Sequence, residues 1–457
     1  MKKKITVMTK MERIAAAIRG DAVDTVPYSL WSHLPLIDLD PVKNAEQTYG
    51  FYKTYDVDIL KTMNNGMYSV EDFGAVADYS EIAGGGVAKI ISTPVHRPKD
   101  WLDLEPVSVN AGALAREQEY LRLLLDKTRG EVPVIFTVFS PLTTAYKLCP
   151  DLMRHVAEGF GEEVKAGLRA ITESTCALVQ RVIEMGADGI FFATQLSSYA
   201  AGEESFYREY GMPYDLAVLS ASSGWCNVLH AHGKDIMFPL LRKYPVQIFN
   251  WHAWESLPEI GEAQALTGKC IMAGLERMDI TGGRKNEIEY RIYETLRQTG
   301  GRKVILSPGC VIRYPLDEEI LAFVRKAKNE IERWLKDEKF MAFANKRAKE
   351  EFFNSENNYI DPQYEEMAEG FEDNDEYVVP MVDYLSYRLH RAKIYRNRRR
   401  RERDIWWVWI QLKYEGIYVE ACIKYYAKLV EEVEKDIYTI LHREYVRMKR
   451  NQTSNKQ

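Results

Sequence analysis

A chain of 457 residues is long enough for two domains or for one large barrel with an appendage, and 46% hydrophobic with 28% charged residues is the balance of an ordinary globular protein. A formal net charge of −6 argues against nucleic acid as a partner, and no run approaches the ~18 apolar residues of a membrane span. Cys149, Cys176, Cys226, Cys270, Cys310 and Cys422 form no CxxC pair, and the basic N-terminus has no apolar core of a signal peptide, so the chain reads as reduced and cytoplasmic.

The spacing of Met11, Ile14, Ala15 and Ile18 predicts an amphipathic helix over Thr9 to Arg19, stopped by Gly20. Val26 to Trp31 reads as a first strand, and a helix around Ala45 to Tyr55 leads to a second, Val57 to Met63. Residues 64–105, with Asn64-Asn-Gly, Gly84-Gly-Gly and a β-rich stretch from Ala88 to Val95, read as an excursion above a barrel mouth. A helix from Ala111 to Thr128 precedes the strand Val132 to Phe139, and Asp151 is expected to cap a helical region reaching Met185.

Beyond it the alternation is clearer. The strand Gly186 to Thr194 is followed by a helical pattern over 203–223, and then by the short strand Cys226-Asn-Val-Leu-His-Ala-His-Gly233. A helix Asp235 to Lys243, the strand Pro245 to Trp251 and a helix Ser256 to Thr267 come next. Cys270 to Gly274, a helix Asn286 to Thr299, the strand Val304 to Cys310 and a helix Asp317 to Leu335 complete the series. About eight strands alternating with helices predict an α/β fold, a (β/α)8 TIM barrel, over residues 1–337. An open doubly wound sheet is disfavoured because no Gly-rich phosphate turn follows the first strand. Residues 338–457 read as an all-helical extension: an acidic stretch from Tyr364 to Glu376, an arginine run from Arg396 to Arg403, the tryptophans of Ile405 to Ile410, and an amphipathic segment to Arg450. The arginine run reads as a solvated helix face rather than a contact for RNA or acidic lipid.

In a barrel the chemistry sits at the carboxyl ends of the strands. Those ends carry Asn64, Asn65, Ser140, Gln195, His230, His232, His252, Arg277 and Cys310. Two residues apart on a strand, His230 and His232 share one face. With Cys310 from the eighth strand they offer two nitrogens and a sulfur, a donor set that suits a catalytic Zn²⁺ with an open position. The same residues are also compatible with a small buried cysteine and two hydrogen-bonded pocket histidines. His252 reads as a fourth ligand, a group orienting a ligand, an acid/base, or a residue packing on substrate. Tyr146 is a catalytic candidate beside His252, and Tyr146 and Gln195 are expected to hydrogen-bond a polar small-molecule substrate or else to be packing or turn residues; Asn64 and Asn65 are expected at the substrate, and Arg277 at a substrate carboxylate or else in an exposed loop.

Several segments resemble the uroporphyrinogen decarboxylase superfamily: Thr9-Lys-Met-Glu-Arg13, Gly20-Asp-Ala-Val-Asp-Thr-Val-Pro27, Gly186-Ala-Asp-Gly-Ile190, His230-Ala-His-Gly233 and Leu306-Ser-Pro-Gly-Cys310. The resemblance spans about residues 9–335 and implies a (β/α)8 barrel. Decarboxylases of uroporphyrinogen carry an arginine-bearing segment after the first strand, where this chain has Trp31-Ser-His-Leu-Pro-Leu, and an aspartate where it has Asn64 or Asn65. Asparagine presents no anionic carboxylate to a pyrrole N–H. The corrinoid-dependent methyltransferases of the superfamily have a His-x-Cys-Gly zinc site completed by a later Pro-Gly-Cys. His230 and Cys310 match it, and His232 stands where that branch has a cysteine. The resemblance thus implies a zinc enzyme moving a methyl group between methylcobalamin on a partner corrinoid protein and a small acceptor such as a thiol. Exchanging a thiolate for an imidazole makes the metal more electrophilic and a bound thiolate less nucleophilic. The alternatives are a decarboxylase acting on a uroporphyrinogen-like tetrapyrrole, and a non-catalytic corrinoid- or ligand-binding barrel.

Overall fold

The structure is a computed structural model that describes residues 7–81 and 88–336. The helical extension expected over 338–457 and the Gly84 triplet lie outside the described residues. Nine strands are described: β1 Leu60–Lys61, β2 Val76–Asp78, β3 Lys89–Ser92, β4 Val134–Phe139, β5 Gly189–Thr194, β6 Val228–Ala231, β7 Ile248–Trp251, β8 Cys270–Leu275 and β9 Val304–Pro308. Seven of them form one sheet in the order β1-β4-β5-β6-β7-β8-β9, and every ladder in it is parallel. A parallel pair needs a long crossover, which helices such as Gly161–Glu184 and Lys285–Thr299 supply. With helices outside and side chains inside, both strand faces are dry, and β5, β6, β7, β8 and β9 are buried at every position.

The expected first strand is present as an extended stave without a strand designation. Leu306 donates to the Pro27 carbonyl at 2.9 Å, Ser29 to the Leu306 carbonyl at 2.8 Å, and Asp58 to the Tyr28 carbonyl at 2.8 Å. The segment therefore bridges β9 and the approach to β1, where the sheet would otherwise have two open edges. This is the α/β TIM-barrel class expected from the alternation. The excursion is a two-stranded antiparallel ribbon of β2 and β3 outside the barrel sheet. The first helix is Lys10–Arg19, with Thr9 and Glu12 forming a reciprocal capping box and Gly20 closing it at φ 85°.

Several helix boundaries differ from expectation for local reasons. Asp151 makes no capping bond and instead pairs with Arg154, and the region beyond it divides into Leu152–Ala157 and Gly161–Glu184. The pattern over 203–223 breaks at Gly211, which has no room for a Cβ beside the Tyr207 ring. The helix after β6 shrinks to Phe238–Leu241, because Asp235 takes a left-handed φ of 51°. The helix after β7 starts at Ile260, since Pro258 disfavours helical backbone at Leu257. Among the described residues no helix is long and apolar enough to cross a membrane.

Candidate metal centre

The site lies where three strands of the sheet end. His230 is on β6, and parallel register sets it beside Ala193 of β5 and Asn250 of β7. His232 lies two residues on, and its N–H continues the ladder to the Thr194 carbonyl at 3.0 Å. His252 follows β7, and Cys310 follows β9. The three imidazole ring centroids are 4.9 to 5.9 Å apart, and the Cys310 Sγ is 3.7 Å from His232 Nδ1. One ligand atom from each of His230, His232, His252 and Cys310 falls within 4.8 Å of the other three. His252, for which the sequence leaves four roles open, is therefore part of the cluster's geometry.

Gly309 permits the approach. A Cβ there would lie 2.6 Å from the Trp251 carbonyl oxygen and 2.8 Å from His252 Cα. Both are backbone atoms that cannot rotate away. Only glycine lets the exit of β9 run against the exit of β7, and that contact delivers the Cys310 sulfur to the histidines.

The hydrogen bonds define which nitrogens are free. The Asn250 Nδ2 group donates to the Met272 carbonyl at 2.5 Å and to the Pro308 carbonyl at 3.3 Å. Its Oδ1, 2.5 Å from His230 Nδ1, must then accept, so His230 carries its proton on Nδ1 and keeps a lone pair on Nε2. His252 Nδ1 faces Glu255 Oε1 at 3.0 Å. Its buried Nε2 has no hydrogen-bond partner among the described residues. Carboxylate or amide oxygens behind an imidazole, with the far nitrogen bare, are the arrangement that aims histidines at a metal.

Burial reinforces this protonation state. It drives His230 well below the ordinary imidazole range and His232 down to about 4, and lowers His252 against the opposing pull of Glu255. Burial also pushes the Cys310 thiol up. Three neutral imidazoles and one thiol are a donor set that a soft divalent cation can exploit, ionising the thiol as it binds. The residues fit Zn²⁺: tetrahedral N/S coordination needs these atom types and this convergence, and a bare buried nitrogen is otherwise costly.

A cavity of about 460 Å³ opens in front of the cluster and is lined by His230, His232 and Cys310, with Trp31, Phe139 and Phe191 among its walls. That volume falls in the range of about 300–1,000 Å³ usual for small-ligand sites. Asn64, Asn65, Gln195 and Arg277 line it too. Two of these side chains are committed elsewhere. Asn64 donates to Glu117 Oε2 at 2.8 Å and accepts from the Thr62 hydroxyl, while Asn65 donates to Asp38 Oδ1 at 3.3 Å and accepts from Met67 N–H at 2.9 Å. Arg277 Nε lies 3.9 Å from Glu255 Oε1, the carboxylate that also holds His252. Tyr146, at 39% exposure, is not among the lining residues; its neighbour Lys147 is. Sequence reasoning passed over six lining residues with ionisable side chains: His33, Asp38, Lys61, Lys147, Arg313 and Tyr314. Lys61 carried a visible signal, a lysine inside a strand that a barrel buries on both faces.

A parallel α/β barrel whose strand ends converge on three imidazoles and a thiol defines a class, a barrel enzyme with a metal-competent centre at its carboxyl-end mouth. The chain belongs to the uroporphyrinogen decarboxylase (URO-D) family, which matches residues 9–331. It is 23% identical over 231 residues to the methylcobamide:CoM methyltransferase MtbA of Methanosarcina acetivorans, a match covering 48% of this chain and 67% of that protein. Its fold superposes on a methyltransferase from Methanosarcina mazei with a TM-score of 0.62 at 18% identity, over 71% of this chain and 99% of the other.

Proposed function

We propose that this protein is a zinc-dependent methyltransferase that moves a methyl group between a corrinoid protein and a small acceptor such as a thiol. The observation that carries the reading is the convergence of His230, His232, His252 and Cys310 within 4.8 Å, with His230, His232 and Cys310 lining a cavity of about 460 Å³. His230, His232 and Cys310 are the ligands, and His252 Nε2 is available for a fourth position. Bound Zn²⁺ would supply Lewis acidity that lowers the pKa of an acceptor thiol.

The chain's own residues do the positioning. Asn250 fixes the His230 ring through Nδ1, and the Phe191 ring stacks on it with centroids 5.2 Å apart. Glu255 orients His252 through its Nδ1. Trp31, Phe139 and Phe191 wall the cavity with aromatic surface, which excludes water and strengthens charge interactions inside. Gln195 is placed to hydrogen-bond a polar acceptor. Tyr146, outside the lining, is given no part in the chemistry. A relative that carries methylcobamide in its name supports a corrinoid donor. The free thiols of Cys149, Cys176, Cys226, Cys270 and Cys310 suit the reducing cytoplasm that such chemistry needs.

Full-length protein purified without chelator is expected to hold about one zinc per chain by elemental analysis, and Cys310→Ala and His230→Ala to lose it while keeping their circular dichroism. The wild type is expected to demethylate methylcobalamin in the presence of a thiol, followed by the change in corrinoid absorbance. A folded wild-type protein without metal sinks the zinc assignment. Zinc-loaded protein that leaves methylcobalamin unchanged with every small thiol tried sinks the methyl-transfer assignment.

A further inference from the structure

Lys61 stands where a lysine is poorly accommodated as a cation. It closes β1 and lines the cavity together with Trp31, Phe139 and Phe191. The residue is 6% exposed, and among the described residues its Nζ makes one hydrogen bond, to the Thr62 carbonyl at 3.2 Å. That carbonyl also accepts from the Thr137 hydroxyl at 2.8 Å. Two rings flank the amine at the outer limit of useful attraction, with Nζ 5.0 Å from the Phe191 centroid and 6.0 Å from that of Trp31. Among the described residues no carboxylate lies within ion-pair distance of it. Other inward basic groups have one: Arg13 pairs with Asp24 and Asp58, and the buried Lys328 with Glu332. The second lysine of the lining, Lys147, is half-buried and better held, donating to the Gly66 carbonyl at 2.9 Å and sitting 4.0 Å over the Phe139 ring. Burial lowers both lysines to about 8, and what separates them is how they are held.

An ammonium is three donors and no acceptor, and one long bond at Lys61 leaves two of those donors bare. The neutral amine suits the place better: it gives one N–H to the Thr62 carbonyl and keeps a lone pair. A lysine desolvated among apolar side chains is the arrangement that makes its nitrogen a nucleophile toward a carbonyl carbon. We propose that Lys61 is an imine-forming site, which takes a small aldehyde or ketone from the cavity of about 460 Å³ and holds it covalently through Nζ. The ammonium first gives its proton to solvent. The Nζ lone pair then bonds to the carbonyl carbon, the C=O π pair moves to oxygen, and a proton passes from nitrogen to that oxygen. The carbinolamine loses its hydroxyl with the remaining N–H proton as water, which leaves C=N. No oxidant, reductant or further reactant enters. A protonated imine draws electrons from the carbon beside it, so a compound held there becomes easier to deprotonate or decarboxylate at that carbon. This site goes beyond the methyl-transfer reading and does not rest on it, because none of the metal-competent residues takes part in the bond.

The test is reductive trapping on the full-length protein as purified, at neutral pH, with acetaldehyde, acetone and benzaldehyde in turn. Sodium cyanoborohydride converts any imine to a stable secondary amine, and peptide mass spectrometry reads its position. Lys61 is expected to be alkylated by at least one of the three at least about tenfold faster than the exposed Lys53 and Lys89. Its unprotonated share at neutral pH is roughly a hundredfold that of an ordinary lysine, and lower basicity takes back part of that gain. Without cyanoborohydride no lasting mass gain should appear at Lys61, as a reversible imine requires. Lys61→Arg keeps the cation but cannot form an imine and should lose the fast phase, while Lys147→Met should keep it. Three results overturn the proposal. One is a Lys61 that stays unlabelled by all three compounds in the native protein, while the same peptide is labelled after unfolding in urea. The second is labelling of Lys61 no faster than of Lys53 and Lys89. The third is a fast phase that disappears in Lys147→Met and survives in Lys61→Arg. The first two readings come from the wild type alone, so a variant that fails to fold leaves them standing.

Discussion

Two buried polar clusters lie within one strand of each other in this barrel, and they are built on opposite terms. At the ends of β4 and β5, Ser140 and Thr194 join Tyr207, Tyr244 and Asp215, all at most 2% exposed. Ser140 donates to Asp215 Oδ1 at 2.6 Å, Tyr244 to Oδ2 at 3.0 Å, and Tyr207 to the same oxygen, while Thr194 meets the Tyr207 hydroxyl at 3.1 Å. Every donor in it has an acceptor. Next to it, the cluster on β6, β7 and β9 leaves the His252 Nε2 bare and sets the Cys310 Sγ 3.7 Å from the His232 imidazole. A closed network holds loops in place; an open one keeps atoms for something that is not protein. Ser140, which sequence position alone places among the candidates, thereby belongs to the scaffold.

The largest expected effect breaks the closed cluster. Burial raises Asp215 to about 6 against the opposing bonds from Ser140, Tyr207 and Tyr244. The folded protein therefore binds this proton more tightly than the unfolded chain does. That contribution to stability is fully present below about pH 4 and is lost as pH rises through about 6, amounting to about 3 kcal/mol for a shift of about two units. Asp215→Asn keeps a hydrogen-bonding group and removes the titration. Its unfolding free energy, measured by denaturant titration, should move by about 3 kcal/mol in its favour relative to wild type between pH 4 and pH 7. Zinc content should stay unchanged. Parallel pH profiles would mean that the carboxyl is not the buried acid of this network, and loss of zinc would join the two clusters that the bonding pattern separates.

The next effect strikes the open cluster through its backbone. Gly309→Ala places a methyl group against the Trp251 carbonyl and His252 Cα at 2.6 and 2.8 Å. Overpacking of this kind costs about 1–3 kcal/mol, and relief requires the β9 exit to move away from β7. The variant should lose zinc affinity together with stability. Weakened stability with wild-type zinc affinity would show that Cys310 reaches the histidines without that close approach.

How much of this was legible depends on the range over which each relationship acts. The pairing of His230 with His232 follows from the two-residue period of a strand, and Cys310 from the rule that barrel strand ends share one mouth; both are local or generic. Asn250 was not legible as the partner of His230, because only the β6–β7 register sets them side by side. The Lys147 and Tyr146 exchange is a matter of helical phase. One residue on a helix turns the side chain by about 100°, enough to move Tyr146 to the surface and carry Lys147 into the wall. The barrel was legible from alternation, while the division of the 203–223 pattern at Gly211 and the start of the helix after β7 only beyond Pro258 were not.

The smallest effect concerns whether the open cluster has three metal ligands or four. Glu255 accepts from His252 Nδ1 at 3.0 Å and makes no hydrogen bond to the other two histidines. Its carboxylate is bonded to His252 alone among the three, and its charge also reaches His232 and Cys310. Glu255→Gln leaves the backbone and the size of the side chain intact, removes the charge that makes the imidazole a better donor, and allows the amide to turn its NH2 toward the ring. Losing such an orienting carboxylate lowers metal affinity about 10- to 100-fold. Competition with a chromophoric chelator should show about a tenfold loss, at the low end because Gln can still accept a hydrogen bond. Arg277, 3.9 Å from the same carboxylate oxygen, loses its counter-charge as well, so Arg277→Gln is the companion measurement. If Glu255→Gln weakens zinc and Arg277→Gln leaves it unchanged rather than tightening it, the effect is not the field that both charges place on His232 and Cys310 but passes through the imidazole, and His252 is a ligand. If Glu255→Gln leaves the affinity within about twofold, His230, His232 and Cys310 hold the metal alone, and the bare nitrogen of His252 is left for the acceptor.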